Sequence, residues 1–475
     1  MKTISLCIYL LAAASLCPAQ EENPFLKQTT RKAPPAEAGE SFLSLEEHIL
    51  APADLVDGWL AGHPDEKDAG EFRAAVQDWI ADGRATLDFS TLSAGITGRD
   101  FKNESVLEQI YATELLPAGQ EGEWKLPTSF ETRGVGYEIT GAGIRQKDGL
   151  VVRAEHKMTK MLSQQPWDKL TEETRETDDI FKPVFRVFRV FRVPGALNDQ
   201  VADTGREDGD VRHPAGMTRL VSRDDENLPE PVVKGAKDDP DGNQTDPEQA
   251  PDRPVRLIFF RNDPVTDEPV ADDPLPEDYL LSMRLIQVEQ RQLSDWLQER
   301  ELGSVAKELN EVLEGWSQDG GVEIVRTLSG AGRTGATTLI EDVNEVIYPT
   351  EYEPCRRTTS EDGKDSRLEF ATATSFETRN VGSHLTSQIL QDPGGPLLKI
   401  EMDRVIHSGF TVHHRVLRDG EWVADMTMPR FSKNHWWTTL RLKRGEWMLV
   451  GSGAAFKEKG EIDHDHLVLA FVKVE

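Results

Sequence analysis

The sequence predicts an α+β fold made of two tandem repeats, each a short strand and a helix pair followed by a mainly antiparallel β-sheet. Three observations carry that expectation. TSFETRGVG at 128–136 returns as TSFETRNVG at 374–382. Around it the two halves keep register. Val56, Trp59, Leu60, Phe72, Val76 and Trp79 correspond to Leu293, Trp296, Leu297, Leu309, Leu313 and Trp316, and Ile110–Glu114 to Ile347–Glu351, all offset by 237. A register held over that length means two copies of one unit. Within each half the hydrophobic period then changes from 3.6 to 2.

The chain opens with MKTISLCIYLLAAASLCPAQ. Lys2 precedes an apolar run from Ile4 to Leu16 that is too short to cross a bilayer, and small residues follow at Cys17-Pro18-Ala19, so residues 1–20 read as a secretory signal peptide. Acylation at Cys17 is the alternative, opposed by bulky Leu16. Residues 21–40 read as a flexible N-terminal segment. Two of the three cysteines, Cys7 and Cys17, fall in the leader, so an exported chain keeping only Cys355 has no internal disulfide framework. No later stretch is apolar enough for a membrane helix, and mean hydropathy is -0.51. Entry into a membrane by β-hairpins stays open.

The formal net charge of -30 excludes a nucleic-acid partner, which needs clustered Lys and Arg to neutralise phosphates. Residues 195–278 carry 22 Asp/Glu against 9 Lys/Arg and 11 of the 27 prolines, so this stretch self-repels and buries little. The expected organisation is a first repeat at 41–193, an acidic Pro-rich insertion at 194–252, a closing strand of the first repeat at 253–262, a linker at 263–278 and a second repeat at 279–475.

Each repeat starts with an apolar strand, LSL at 43–45 and LSMRLIQV at 281–288. Two helices follow. Phe72, Val76, Trp79 and Ile80 fall at i, i+4, i+7 and i+8, one face of a helix, and both longer helices stop at Asp-Gly, where glycine supplies a left-handed cap. The tryptophans at helical spacing read as core. Beyond them KIEMDRVI, FTVHHRVL, WVADMTM, PVFRVFRVFRV and HLVLAFVKV read as strands, and LRDGEW and LKRGEW as sibling hairpin turns.

Several steps of the second half resemble the secretin domain of bacterial type II and III secretion systems. VEIVRTLSGAGRTGATTLIEDVNEVIYPTEYEP at 322–354 resembles its opening strand, turn and strand. ATSFETRNVGSHL, WWTTLRLKRGEWMLVGSG and the closing HLVLAFVKVE follow in the family's order. The resemblance covers about 280–475 and, more faintly, 42–193. It implies an envelope protein linked to secretion. Family members form multimeric rings whose β-domain is an outer-membrane channel. Here FKEKGEIDHD stands where the family has a further apolar segment, so the expectation is a degenerate relative that keeps the fold.

The chemistry is sparse. Seven of the eleven histidines lie late, at 384, 407, 413, 414, 435, 464 and 466. In DHDH at 463–466, His464 and His466 share one face of a strand, as two metal ligands would, but no third ligand stands at a known spacing. DDPDGNQTDPE at 238–248 resembles a calcium loop with Gly242 one place early. GSG at 451–453 lacks the outer glycines of a nucleophile elbow. Gly134 and Gly136 open no dinucleotide motif. Cys355 has no paired His and Asn pattern. No catalytic, cofactor-binding or metal residue is assigned, and no cofactor. The leading expectation is a non-enzymatic exported envelope scaffold, in the periplasm or at the outer membrane. Its sheet edges would serve protein partners or self-association. A secretin-type export channel and a metal-dependent hydrolase using the His-rich sheet are the alternatives.

Overall fold

The computed structural model describes residues 39–64, 69–116, 126–146, 149–166, 181–192, 217–221, 254–265, 277–318, 320–353, 356–359, 366–369, 371–418 and 421–475. The leader, Cys17, the segment up to 38, Cys355, the loop at 238–248 and all of the acidic insertion except 217–221 lie outside the described residues.

The α+β expectation is corrected. Among the described residues the fold is mainly β, with four short helices set against long strands. In the first half these are β1 (Ser41–Pro52), α1 (Ala53–Gly62), α2 (Gly70–Ala81), β2 (Thr86–Ile96), β3 (Asp100–Leu116), β4 (Leu126–Gln146), β5 (Gly149–Pro166), β6 (Phe181–Arg192), β7 (Met217–Val221) and β8 (Pro254–Pro264). In the second half they are β9 (Asp278–Glu289), α3 (Gln290–Gln298), α4 (Leu302–Gln318), β10 (Val322–Arg333), β11 (Thr337–Glu353), β12 (Arg356–Thr359), β13 (Ser366–Glu369), β14 (Thr372–Leu390), β15 (Leu397–Arg418), β16 (Glu421–Arg441), β17 (Met448–Phe456) and β18 (Ile462–Val474).

Two features make the difference. Stretches that read as separate short strands fuse: KIEMDRVI and FTVHHRVL are both part of the 22-residue β15. The two halves also do not close separate sheets. One eight-stranded sheet runs β10-β9-β18-β17-β2-β1-β8-β7, and the other β11-β14-β15-β16-β3-β4-β5-β6. In each sheet the four strands of the second half come first and those of the first half continue the ladder. The seams are β17–β2, joined at Gly451 and Ser93, and β16–β3, running from Phe431↔Glu108 to Trp437↔Lys102.

Why the helices stop and the strands begin follows from local chemistry. Gly83 (φ 74°) and Gly320 (φ 78°) take the left-handed conformation just after α2 and α4, and Ala85 N–H bonds back to Trp79 O. Phe72, Val76 and Trp79 of α2 are buried with Val56 and Leu60 of α1 against Ile49, Val255 and Leu257. Leu293, Leu297, Leu309 and Leu313 join the larger core under β9 and β18, where Trp316 packs at the edge.

The repeated nonapeptides end on glycines with a structural task. Gly136 (φ 144°) and Gly382 (φ 138°) hold a backbone open to glycine alone, and a Cβ would collide with the carbonyl oxygens of Ser105 and Asp342. β4 pairs with β5 only from Gly136 onward, and β14 with β15 only from Gly382 onward. Before those points each TSFETR segment pairs along its own hairpin partner, β3 or β11, and Glu351 of β11 meets Ser129 of β4. The hairpin tips thus leave the sheet at the glycine and pack on each other. Tyr348 and Tyr352 lie against Ile110, Ala112, Phe130, Met426, Met428 and Phe431.

Candidate functional site

The seam between the halves is closed by buried polar groups. Asn103 Nδ2 donates to Thr91 Oγ1 (2.7 Å) and Ser452 O (2.6 Å), while Leu92 N–H donates to Ser452 Oγ (2.7 Å). Asn434 Nδ2 donates to Ser105 Oγ (3.0 Å), and Thr438 Oγ1 to Ala94 O (2.6 Å). On the helix side Arg73 of α2 bonds both oxygens of Glu47 (2.8 and 3.0 Å), and Ser294 Oγ of α3 donates to the same carboxylate (2.6 Å). Burial would raise the Glu47 pKa; the Arg73 guanidinium and Ser294 outweigh it and hold the carboxyl below its usual range.

A second polar cluster lies between the two sheets of the first half. Glu46 of β1 meets His48 Nε2 at 2.5 Å and also pairs with His156 of β5. Asp88 of β2 pairs with Arg256, accepts from Tyr137 OH (2.8 Å) and faces His464 Nδ1 at 3.2 Å. Tyr137 stacks on Phe89 with centroids 3.9 Å apart. His48 Nδ1 and His156 Nε2 are buried without a hydrogen-bond partner. Burial would raise Glu46; the His156 and His48 imidazoles overcome it and bring the carboxyl down to about 2. Burial pushes His48 down, against Glu46. The corresponding register positions of the second half hold Leu285, Val325 and Met402, so this cluster belongs to one half only.

These shifts set a pH dependence. A lowered Glu46 stabilises the fold above its unfolded pKa of 4.5 and loses that contribution as pH falls toward 2; a lowered His48 does the same below 6.5. Stability is therefore expected to fall continuously from about pH 6.5 downward, with Glu46 alone contributing on the order of 3 kcal/mol. Urea midpoints measured from pH 8 to pH 3 check it, and His48→Phe should flatten the upper part of the decline.

The sequence-derived metal pair does not converge. His464 Nδ1 donates to the backbone carbonyl of Asp88 (2.7 Å), and His466 Nδ1 is held by Asp463 (2.9 Å). Among the described residues one three-ligand group comes together instead, Glu401, Asp403 and His435, with ligand atoms within 4.8 Å of one another. Asp403 in it already has partners: His435 Nδ1 bonds it (2.9 Å) and Lys433 Nζ lies 3.6 Å from the same carboxylate. Gly451 sits in the seam, where a Cβ would press on Leu92 O, as strand geometry rather than an elbow. No helix among the described residues is long and apolar enough to cross a membrane.

What stands out is an asymmetry of cover. β2 and β3 of the first half are flanked by β17 and β16; among the described residues their counterparts β10 and β11 are the outer strands of the two sheets, β11 meeting β4 only at Glu351 and Ser129. Exposure follows. Ile324 is 55% exposed and Leu87, its counterpart, 7%; Ile347 is 67% and Ile110 3%; Phe376 is 58% and Phe130 6%. Sequence reasoning missed this, because the paired residues are alike in type and only their neighbours differ.

Two solved structures show a faint likeness: the Salmonella SPI-1 type III secretion injectisome secretin InvG, and the Salmonella injectisome basal body proteins InvG, PrgH and PrgK. Each match has a TM-score of 0.20 and 8% identity over 46% of this chain, and spans 71% of the first structure's chain and 51% of the second's. At that score the likeness carries no argument. No protein-family model and no curated protein matches the chain.

Proposed function

We propose that this chain is an exported, secretion-related protein of the cell envelope that acts without catalysis, as a β-sheet scaffold binding protein partners through open sheet edges. One observation supports it above the rest: β10 and β11 carry apolar side chains in solvent where the equivalent strands of the first half are covered. Uncovered strands with apolar side chains are templates for pairing. The polar clusters fit the reading, since Glu47, Asp88 and Asp403 are each held in ion pairs with Arg73, Arg256 and Lys433. A channel subunit is the second reading, favoured by sheets whose first and last strands do not pair with each other among the described residues. Native mass of the processed chain, with and without detergent, separates the two. A one-chain or few-chain species in buffer supports the scaffold, and a detergent-resistant ring of many chains supports the channel. A chain that stays a monomer in detergent contradicts the channel, and one that also retains no other protein on co-purification contradicts the scaffold.

A further inference from the structure

We infer that one face of the second sheet carries a site for a divalent transition-metal ion of the zinc class, held by Glu401, Asp403 and His435 with His384 as the fourth ligand. The inference goes beyond the scaffold reading and does not depend on it. It starts from the register. His384 of β14 stands opposite Asp403 of β15, and Asp403 opposite His435 of β16, so one row across three strands reads His-Asp-His. The row beside it reads Thr386, Glu401 and Trp437. Leu385, Met402 and Trp436 lie in the core, and alternation sends the two rows to the opposite face.

The first half supplies the comparison. β4–β5 pairs Glu138↔Lys157 and β5–β6 pairs Lys157↔Arg189, the same places in the ladder. Each residue of the His-Asp-His row lies 246 positions after its counterpart, the spacing of the repeated nonapeptides. The neighbouring row is alike in type in both halves, Thr140, Glu155 and Phe191 against Thr386, Glu401 and Trp437. Only the row itself has changed chemistry. In the first half it makes ordinary ion pairs, Lys157 with Glu138 at 3.8 Å and Arg189 with Glu155 of the next row at 3.9 Å. In the second half no lysine or arginine stands in it; a carboxylate holds the centre and imidazoles flank it. Lysine and arginine repel a metal ion, whereas a carboxylate between two imidazoles is a set of ligands for one.

The side chains already converge. Ligand atoms of Glu401, Asp403 and His435 lie within 4.8 Å of one another. Ligands at about 2.0–2.2 Å from a tetrahedral ion stand roughly 3.4 Å apart, so small side-chain rotations on fixed strands close the set. His435 Nδ1 lies 2.9 Å from one oxygen of Asp403, and His384 Nδ1 3.8 Å from the other. His384 Nε2 is 2.8 Å from Thr386 Oγ1. In the tautomer that donates Nε2–H to Thr386, the Nδ1 lone pair faces an Asp403 oxygen, two acceptors with room for a cation between them. Lys433 Nζ, 3.6 Å from Asp403, is the competing cation; it also lies 3.9 Å from Glu104 and keeps that partner when an ion takes Asp403. The His435, Asp403 and His384 side chains are 12%, 21% and 33% exposed, so an ion reaches them from solvent. Two imidazoles with two carboxylates suit zinc and disfavour calcium and magnesium, which take oxygen ligands. Because β16 also pairs with β3, an ion here braces the strands beside the seam.

The test is equilibrium dialysis of the full processed chain carrying Cys355→Ser against zinc chloride, with the metal content of the protein measured. One ion per chain is expected, half-saturating in the micromolar range or below, and an equal concentration of calcium should not displace it. His435→Gln and His384→Gln should each weaken binding by about tenfold or more. Asp403→Lys writes the first half's residue into the row, a residue that fold already accommodates at Lys157, and should abolish binding with the circular dichroism spectrum unchanged. His464→Gln with His466→Gln should leave binding as it was. Zinc should raise the urea midpoint of the Cys355→Ser chain and not that of the chain also carrying Asp403→Lys. No retained zinc, zinc that Asp403→Lys and His435→Gln leave in place, or displacement by calcium would each overturn the inference. The scaffold reading is untouched by any of these and stands or falls by native mass and co-purification.

Discussion

Replacing Glu47 with alanine is expected to lower the unfolding free energy by about 3–5 kcal/mol. The carboxylate is buried and holds Arg73 by two hydrogen bonds, and Ser294 and Gln298 also donate to it. Its removal leaves the Arg73 guanidinium, itself in a residue 5% exposed, without its counter-charge in a site that water does not reach. Because Glu47 and Arg73 come from the first half and Ser294 and Gln298 from the second, the loss also loosens the join between halves. Urea unfolding of Glu47→Ala beside Glu47→Gln separates the two contributions. Glutamine keeps an acceptor for Ser294 but removes the charge, so it should still cost more than half of the alanine effect.

Trp436→Ala is expected to cost about 3–5 kcal/mol as well, for a different reason. Trp436 is among the largest fully buried side chains; it pairs with Asn103 across β16–β3 and fills the space beside Gly451 and Gly453. Those two glycines admit the indole because they carry no Cβ. Truncation therefore opens a cavity in the seam itself, with no neighbouring side chain able to collapse into it from the glycine side. Trp437→Ala, on the opposite face of the same strand, should cost well under half as much.

The turn glycines after α2 and α4 and the buried helix face of Phe72, Val76 and Trp79 were legible in the sequence, because both depend on residues near one another in the chain. Fold class and the way the halves combine were misread. Periodicity reports which face of an element is buried, not which strand lies beside it. Nothing in PVFRVFRVFRV distinguishes a strand that ends a sheet from one inside it. Leu87 of β2 and Ile324 of β10 are likewise alike in type, and one is buried and the other exposed. The candidate metal histidines illustrate the same limit. His464 and His466 share a strand, but Asp88, brought from β2, is what His464 meets. Glu46, His48 and His156 were unreadable as a cluster because β1 and β5 belong to different sheets.

The central claim is that equivalent strands are covered in one half and open in the other, and amide hydrogen exchange tests it most directly. At low chain concentration, residues 102–108 of β3 should be strongly protected and 339–345 of β11 should exchange fast on the side away from β14. Equal protection of the two segments at low concentration would contradict the account.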